Sequence, residues 1–161
     1  MRTFLAILAV ILLMAAAASA QHEVGGTYVT YGQEQTESEL PDGTSVSQGT
    51  YGEFAATSDP DHPFNNQKGT CISKDVASKS GGSVVSAGAC VLSTPDGSTI
   101  WNWWRRDKSG TADCPNSCGT WGVFHGTGVF KGVTGTGQWK TVAIYPDQSS
   151  VGVWDLKYEK K

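Results

Sequence analysis

The chain has 161 residues, 12 basic and 15 acidic, for a net charge of −3, and 39% of its residues are hydrophobic. That length fits one domain with a core of useful size. The mild acidity excludes the electrostatic footprint of a nucleic-acid binder, because the nearest thing to a basic stripe, Arg105-Arg106-Asp107-Lys108, is short and interrupted.

Met1 and Arg2 begin a short basic segment, and residues 4–18 form an apolar run. Ala18-Ser19-Ala20 fits the small-x-small rule for signal peptidase. The run is shorter than the ~20 residues a membrane span needs. The expectation is a signal peptide over residues 1–20, cleaved after Ala20, and a secreted or periplasmic protein. The mature part, 21–161, reads as a single domain with no membrane span. Gln21 rather than a cysteine follows the cleavage point, so no lipid anchor is expected.

All four cysteines, Cys71, Cys90, Cys114 and Cys118, lie in the mature part. An even count in an exported chain reads as disulfides, with three possible pairings. Geometry favours one. Cys71 and Cys90 are equidistant from a turn-rich point between Ser80 and Gly81, so a hairpin folding there would face them across two strands. Cys114 and Cys118 would then close a small loop. Zinc is disfavoured because two CxxC pairs are missing, and calcium because Asp59-Pro60-Asp61 breaks the loop register. No metal and no cofactor are expected.

In chain order, residues 26–32 are β-rich, residues 33–43 are polar and acidic and end in a Pro-Asp-Gly turn, and residues 47–57 form a second strand. Residues 58–66, SDPDHPFNN, read as a loop. A hairpin follows over 68–75 and 83–93. After the Thr94–Gly97 turn comes 98–107, STIWNWWRRD, with an unusual aromatic load, and then a loop over 108–117. Glycine recurs through 119–139, where a helix would lose about 1 kcal/mol at each interior Gly. That stretch reads as strand, turn, strand, with Gly128, Gly132 and Gly135 setting the turn at the closing corner of a barrel. A last strand covers 151–158. About eight strands and no helical periodicity predict an all-β fold, a single eight-stranded antiparallel barrel, with a β-sandwich as the alternative.

The segment from His125 through Gly126-Thr-Gly-Val-Phe-Lys-Gly-Val-Thr-Gly135, then a strand ending at Tyr145-Pro146, resembles the last strands of allene oxide cyclases and the related dirigent proteins, which carry a G-x-G-x-[FY]-x-G-x-x-G turn. Cys90 to Gly97 resembles a segment of exported bacterial proteins of the same kind. The resemblance covers roughly residues 68–158. It implies a calycin-like barrel with a central cavity. The polar active-site residues of those families cannot be matched here, and a shared fold does not fix an activity.

Two-residue alternation puts Trp101, Trp103 and Arg105 on one face of their strand, and Ile100, Asn102, Trp104 and Arg106 on the other. Trp121, Val123 and His125 share a face, as do Trp139, Thr141, Ala143 and Tyr145. Trp101, Trp103, Trp121, Trp139 and Arg105 are the candidate ligand-binding residues, against the simpler reading that six tryptophans fill a core. Glu53 and His125 are weak catalytic candidates, and Asp155 resembles Glu53 in its strand setting. The leading functional expectation is an exported barrel binding a small, mostly apolar molecule. The alternatives are a cyclase or isomerase resembling allene oxide cyclase, and a structural or carbohydrate-binding surface domain. Whether the barrel interior is open or filled decides among them.

Overall fold

A computed structural model describes residues 20–80 and 83–161. The signal-peptide expectation therefore falls almost wholly outside the described residues. Eight strands follow one another: β1 (His22–Glu39), β2 (Ser45–Thr57), β3 (Gln67–Ala77), β4 (Ser83–Ser93), β5 (Thr99–Lys108), β6 (Ser117–Gly126), β7 (Val133–Ile144) and β8 (Ser150–Lys160). Each pairs antiparallel with the next, and β8 pairs back onto β1 from His22↔Tyr158 to Thr30↔Ser150. The result is a closed up-and-down barrel in which β1 has a partner on both sides from Gly26 to Thr30, while its extension to Glu39 pairs with β2 alone.

Strand alternation divides the side chains cleanly. Tyr28 pairs with Ala55, Ala55 with Gln67, Cys71 with Cys90, Cys90 with Asn102 and Trp104 with Trp121, and all of these point inward. The two ends of the barrel differ. Three connections, 58–66, 94–98 and 127–132, lie at one end. There Phe64 folds inward from its loop, 2% exposed, and packs on Phe130, Tyr158 and Trp154 at ring separations of 5.1, 5.2 and 6.4 Å. Asn65 fixes that loop by accepting the Thr57 N–H at 3.1 Å and donating to the Pro60 carbonyl at 3.0 Å. With Leu92, Ile100 and Leu156 buried beside it, this layer is a plug.

The interior above the plug stays open for a local reason. Several large rings lie flat over a glycine on the neighbouring strand: Trp104 over Gly88, Trp139 over Gly119, Trp154 over Gly26 and Tyr28 over Gly152. A methyl group at Gly88 would sit 2.5 Å from the Trp104 ring and 2.1 Å from the Ile72 carbonyl oxygen, so that ring could no longer lie against the wall. The glycines spread the aromatics over the barrel wall instead of letting them meet at its axis.

Three details differ from the sequence reading. β1 runs on to Glu39 through the acidic stretch, because Glu34 to Glu39 pair with Thr50 to Ser45 and leave their charges outside. In the Gly-rich stretch a single 3-10 turn (Gly128–Phe130) links β6 to β7, with Gly128 and Gly132 at φ 56° and 78°. Gly135 instead lies within β7, against Tyr158. That stretch is also not where the barrel closes, since β1 and β8 form the seam.

Both disulfides form as the spacing indicated, Cys71–Cys90 and Cys114–Cys118. Two disulfides and no free cysteine among the described residues fit an oxidising compartment. No described helix is long and apolar enough to cross a membrane.

Candidate functional site: the barrel lumen

A cavity of about 300 Å³ occupies the barrel above the plug. Its walls are chemically unlike. Four consecutive strands each contribute one inward indole: Trp104 from β5, Trp121 from β6, Trp139 from β7 and Trp154 from β8. Trp104 meets Trp139 edge-on at 6.0 Å, and Trp121 meets Trp154 edge-on at 5.6 Å. Trp121 is anchored by donating to the Asp155 carbonyl at 2.8 Å, and Trp154 by donating to the Thr27 carbonyl at 3.1 Å. The facing wall carries Tyr51, Glu53 and Ala55 from β2, then the Cys71–Cys90 disulfide from β3 and β4.

Among the described residues, Glu53 is the only carboxyl deep in the lumen. Its side chain is half-buried, and the surface it retains opens onto the cavity. One carboxylate oxygen lies 3.5 Å from Cys71 Sγ and 3.9 Å from Cys90 Sγ. Sulfurs joined in a disulfide have no S–H to donate and no thiolate to offer a metal, so this cluster is a contact and not a ligand set. With no donor among the described residues, burial alone pushes the carboxyl from 4.5 up to about 7. Burial likewise raises Tyr28 to about 12, even though its hydroxyl shares a 2.8 Å hydrogen bond with Thr141 Oγ1. Burial, and then the neighbouring Glu53 charge, raise Tyr51 further still. The Trp104 indole N–H faces the Tyr51 hydroxyl without reaching hydrogen-bond geometry, and it has no other partner in the protein.

The open end is polar. Thr30, Gln33, Ser73, Ser117, Gln148 and Ser150 rim it, with Asp75 and Arg106 3.7 Å apart.

The sequence candidates fall on both sides of this wall. Trp121, Trp139 and Glu53 line the lumen together. Trp101, Trp103 and Arg105 face outward: Trp101 packs against His125 with the rings tilted at 4.7 Å, Trp103 lies over Gly122, and Arg105 pairs with Asp107 at 2.9 Å. His125 shares a face with Trp121 by simple alternation, but a bulge at Phe124 turns it out: Trp101 pairs with His125 and Asn102 with Val123. Asp155 is exposed on the outer face and accepts the Gln138 N–H at 3.0 Å. Sequence reasoning missed Trp104, Trp154 and Tyr51. The repeated Gly on strands beside aromatic-rich ones was the available signal, since a flat ring needs a bare neighbour.

No family model matches the sequence, and no curated protein does. Among solved structures, the chain is similar to two pterocarpan synthase dirigent proteins. One, GePTS1, aligns at 12% identity with a TM-score of 0.49, covering 89% of this chain and 92% of that one. The other, PsPTS1, aligns at 13% identity with a TM-score of 0.49, covering 88% and 97%. The closed eight-stranded antiparallel barrel is the fold that the resemblance of residues 68–158 to allene oxide cyclases and dirigent proteins implied.

Proposed function

We propose that this is an exported barrel whose lumen binds a small, mostly apolar molecule. The observation that carries the reading is the open cavity of about 300 Å³, blind at the plugged end and faced by four indoles. Concave, largely apolar cavities from about 300 Å³ upward with a few placed polar groups are the usual setting for small ligands. The disulfides and the residue 1–20 leader pattern support export. Titration calorimetry with 2-ethylnaphthalene should show saturable binding. Trp121→Ala should weaken it at least tenfold, while Phe124→Ala, on the outer face of β6, should not. A wild-type protein that takes up neither this probe nor any member of a lipophilic panel would sink the reading.

A second reading is favoured by Glu53. A carboxyl that titrates near neutrality between apolar walls holds a transferable proton, which suits acid-catalysed cyclisation or isomerisation of a strained substrate. Turnover of a lipophilic epoxide that disappears in Glu53→Gln would support it. If a broad epoxide screen shows no turnover, binding stands alone.

A further inference from the structure

An apolar ligand leaves Glu53 unexplained. The carboxyl sits within the barrel beside a disulfide that offers no proton. Tyr28 is engaged with Thr141, which Ser117 also reaches at 3.0 Å. A buried polar group without a partner is unfavourable, and such groups persist where something else completes them.

The geometry points to a small cationic amine on an aromatic or polycyclic body as the ligand class, its ring against the indoles of β5–β8 and its ammonium on Glu53. This rests on the lumen being a binding site, as proposed above, and names what the site selects.

The charge pattern supports a cation over the alternatives. Among the described residues, the only other charged groups in the lining are Asp75 and Arg106, which face each other at the mouth. Their charges offset, so ionised Glu53 sets the sign of the interior. An anion would meet that carboxylate at close range in a poorly screening environment. Indole faces attract cations through their quadrupole, and four indoles line the wall across from β2. A neutral hydrocarbon would satisfy the indoles and leave the carboxyl as it is.

The titratable and charged groups facing Glu53 can be named strand by strand. Among the described residues they are Tyr28 on β1, Tyr51 on β2, Asp75 on β3 and Arg106 on β5; β4 presents the disulfide sulfur of Cys90 and the apolar Leu92, and β6, β7 and β8 present uncharged residues to the lumen. The tyrosines stay neutral across the working range because burial raises both. Amine uptake at acidic pH must therefore expel the Glu53 proton. Affinity for the amine should rise about tenfold per pH unit up to about 7 and then level off.

The test compares four probes that share one bicyclic ring: 2-(2-naphthyl)ethylamine, 2-(2-naphthyl)ethanol, 2-ethylnaphthalene and 2-naphthylacetic acid. At pH 8.5 the aliphatic amine is still protonated. Calorimetry at that pH should give the amine at least tenfold tighter binding than the alcohol or the hydrocarbon, with the acid weakest. In Glu53→Gln, checked for fold by circular dichroism, that preference should vanish while the hydrocarbon still binds. Wild-type protein at pH 6.5, titrated in two buffers of different ionisation heat, should release most of a proton with the amine and none with the hydrocarbon. This last arm does not depend on how the variant folds. If the alcohol or hydrocarbon equals the amine in the wild-type protein, or if Glu53→Gln keeps the preference, the amine assignment is wrong and lumen binding stands. If no probe binds, both fall.

Discussion

Glu53→Gln is expected to stabilise the ligand-free barrel at pH 8, by about 3 kcal/mol. In the folded chain the carboxyl titrates at about 7, against 4.5 for the same group in water, and burial is the cause. Between those two values the unfolded chain is ionised while the folded chain holds a proton. The folded state therefore binds more protons, and the wild-type barrel loses this stability as pH rises from about 4.5 through about 7. Glutamine keeps the shape, carries no charge and has no such slope. Urea denaturation of both proteins at pH 5 and pH 8 measures the difference directly. The two stability curves should diverge as pH rises. Parallel curves would show that Glu53 is already solvated or paired in the folded protein. A residue whose removal stabilises the fold is a residue kept for another purpose, which is the usual trade at binding and catalytic sites.

The second large effect belongs to the plug. Phe64→Ala should destabilise the barrel by about 3–5 kcal/mol, the range for deleting a buried Phe ring. The ring is 2% exposed and touches Phe130, Tyr158 and Trp154, so its loss leaves a hole that the rigid loop held by Asn65 cannot fill. The denaturant midpoint should fall with little change in slope. Acrylamide quenching of the tryptophans should rise, because water gains a route to Trp154 from the plugged end. A loss below about 1 kcal/mol, with unchanged quenching, would show that Phe64 does not seal the barrel.

Much of the architecture was legible because its signals are local. Turn chemistry such as Thr94–Gly97 marked strand ends, and the symmetry of Cys71 and Cys90 about one turn was enough to pair them. The acidic stretch of β1 was not legible as strand, since its charges lie outside and only its pairing with β2 makes it extended. The site was half legible. Two-residue alternation sorted Trp101 and Trp103 from Trp104 correctly, yet alternation cannot say which face is inner. That choice is made by the neighbouring strand, where Asn102 pairs with Cys90. The same rule misplaced His125, because one extra residue in a bulge reverses every face beyond it and leaves no mark in the pattern. Phe64 was hidden for the opposite reason: it is a single apolar residue in a polar loop, and only the shape of that loop sends it into the core.

The seam between β1 and β8 has a kinetic consequence. Every other ladder joins consecutive strands, so each can form as a hairpin on a microsecond scale. The seam joins residues at least 120 positions apart along the chain, Thr30 and Ser150 being its nearest pair, and it carries nearly all of the long-range closure entropy. Folding should therefore reach a curled, open sheet before it reaches the barrel. In that state β1 and β8 present two bare edges, and Val151 and Val153 on β8 lie beside Val29 and Thr27 on β1 only once the gap has shut. Until then each edge can accept a strand from another molecule, so the barrel's own last step competes with aggregation.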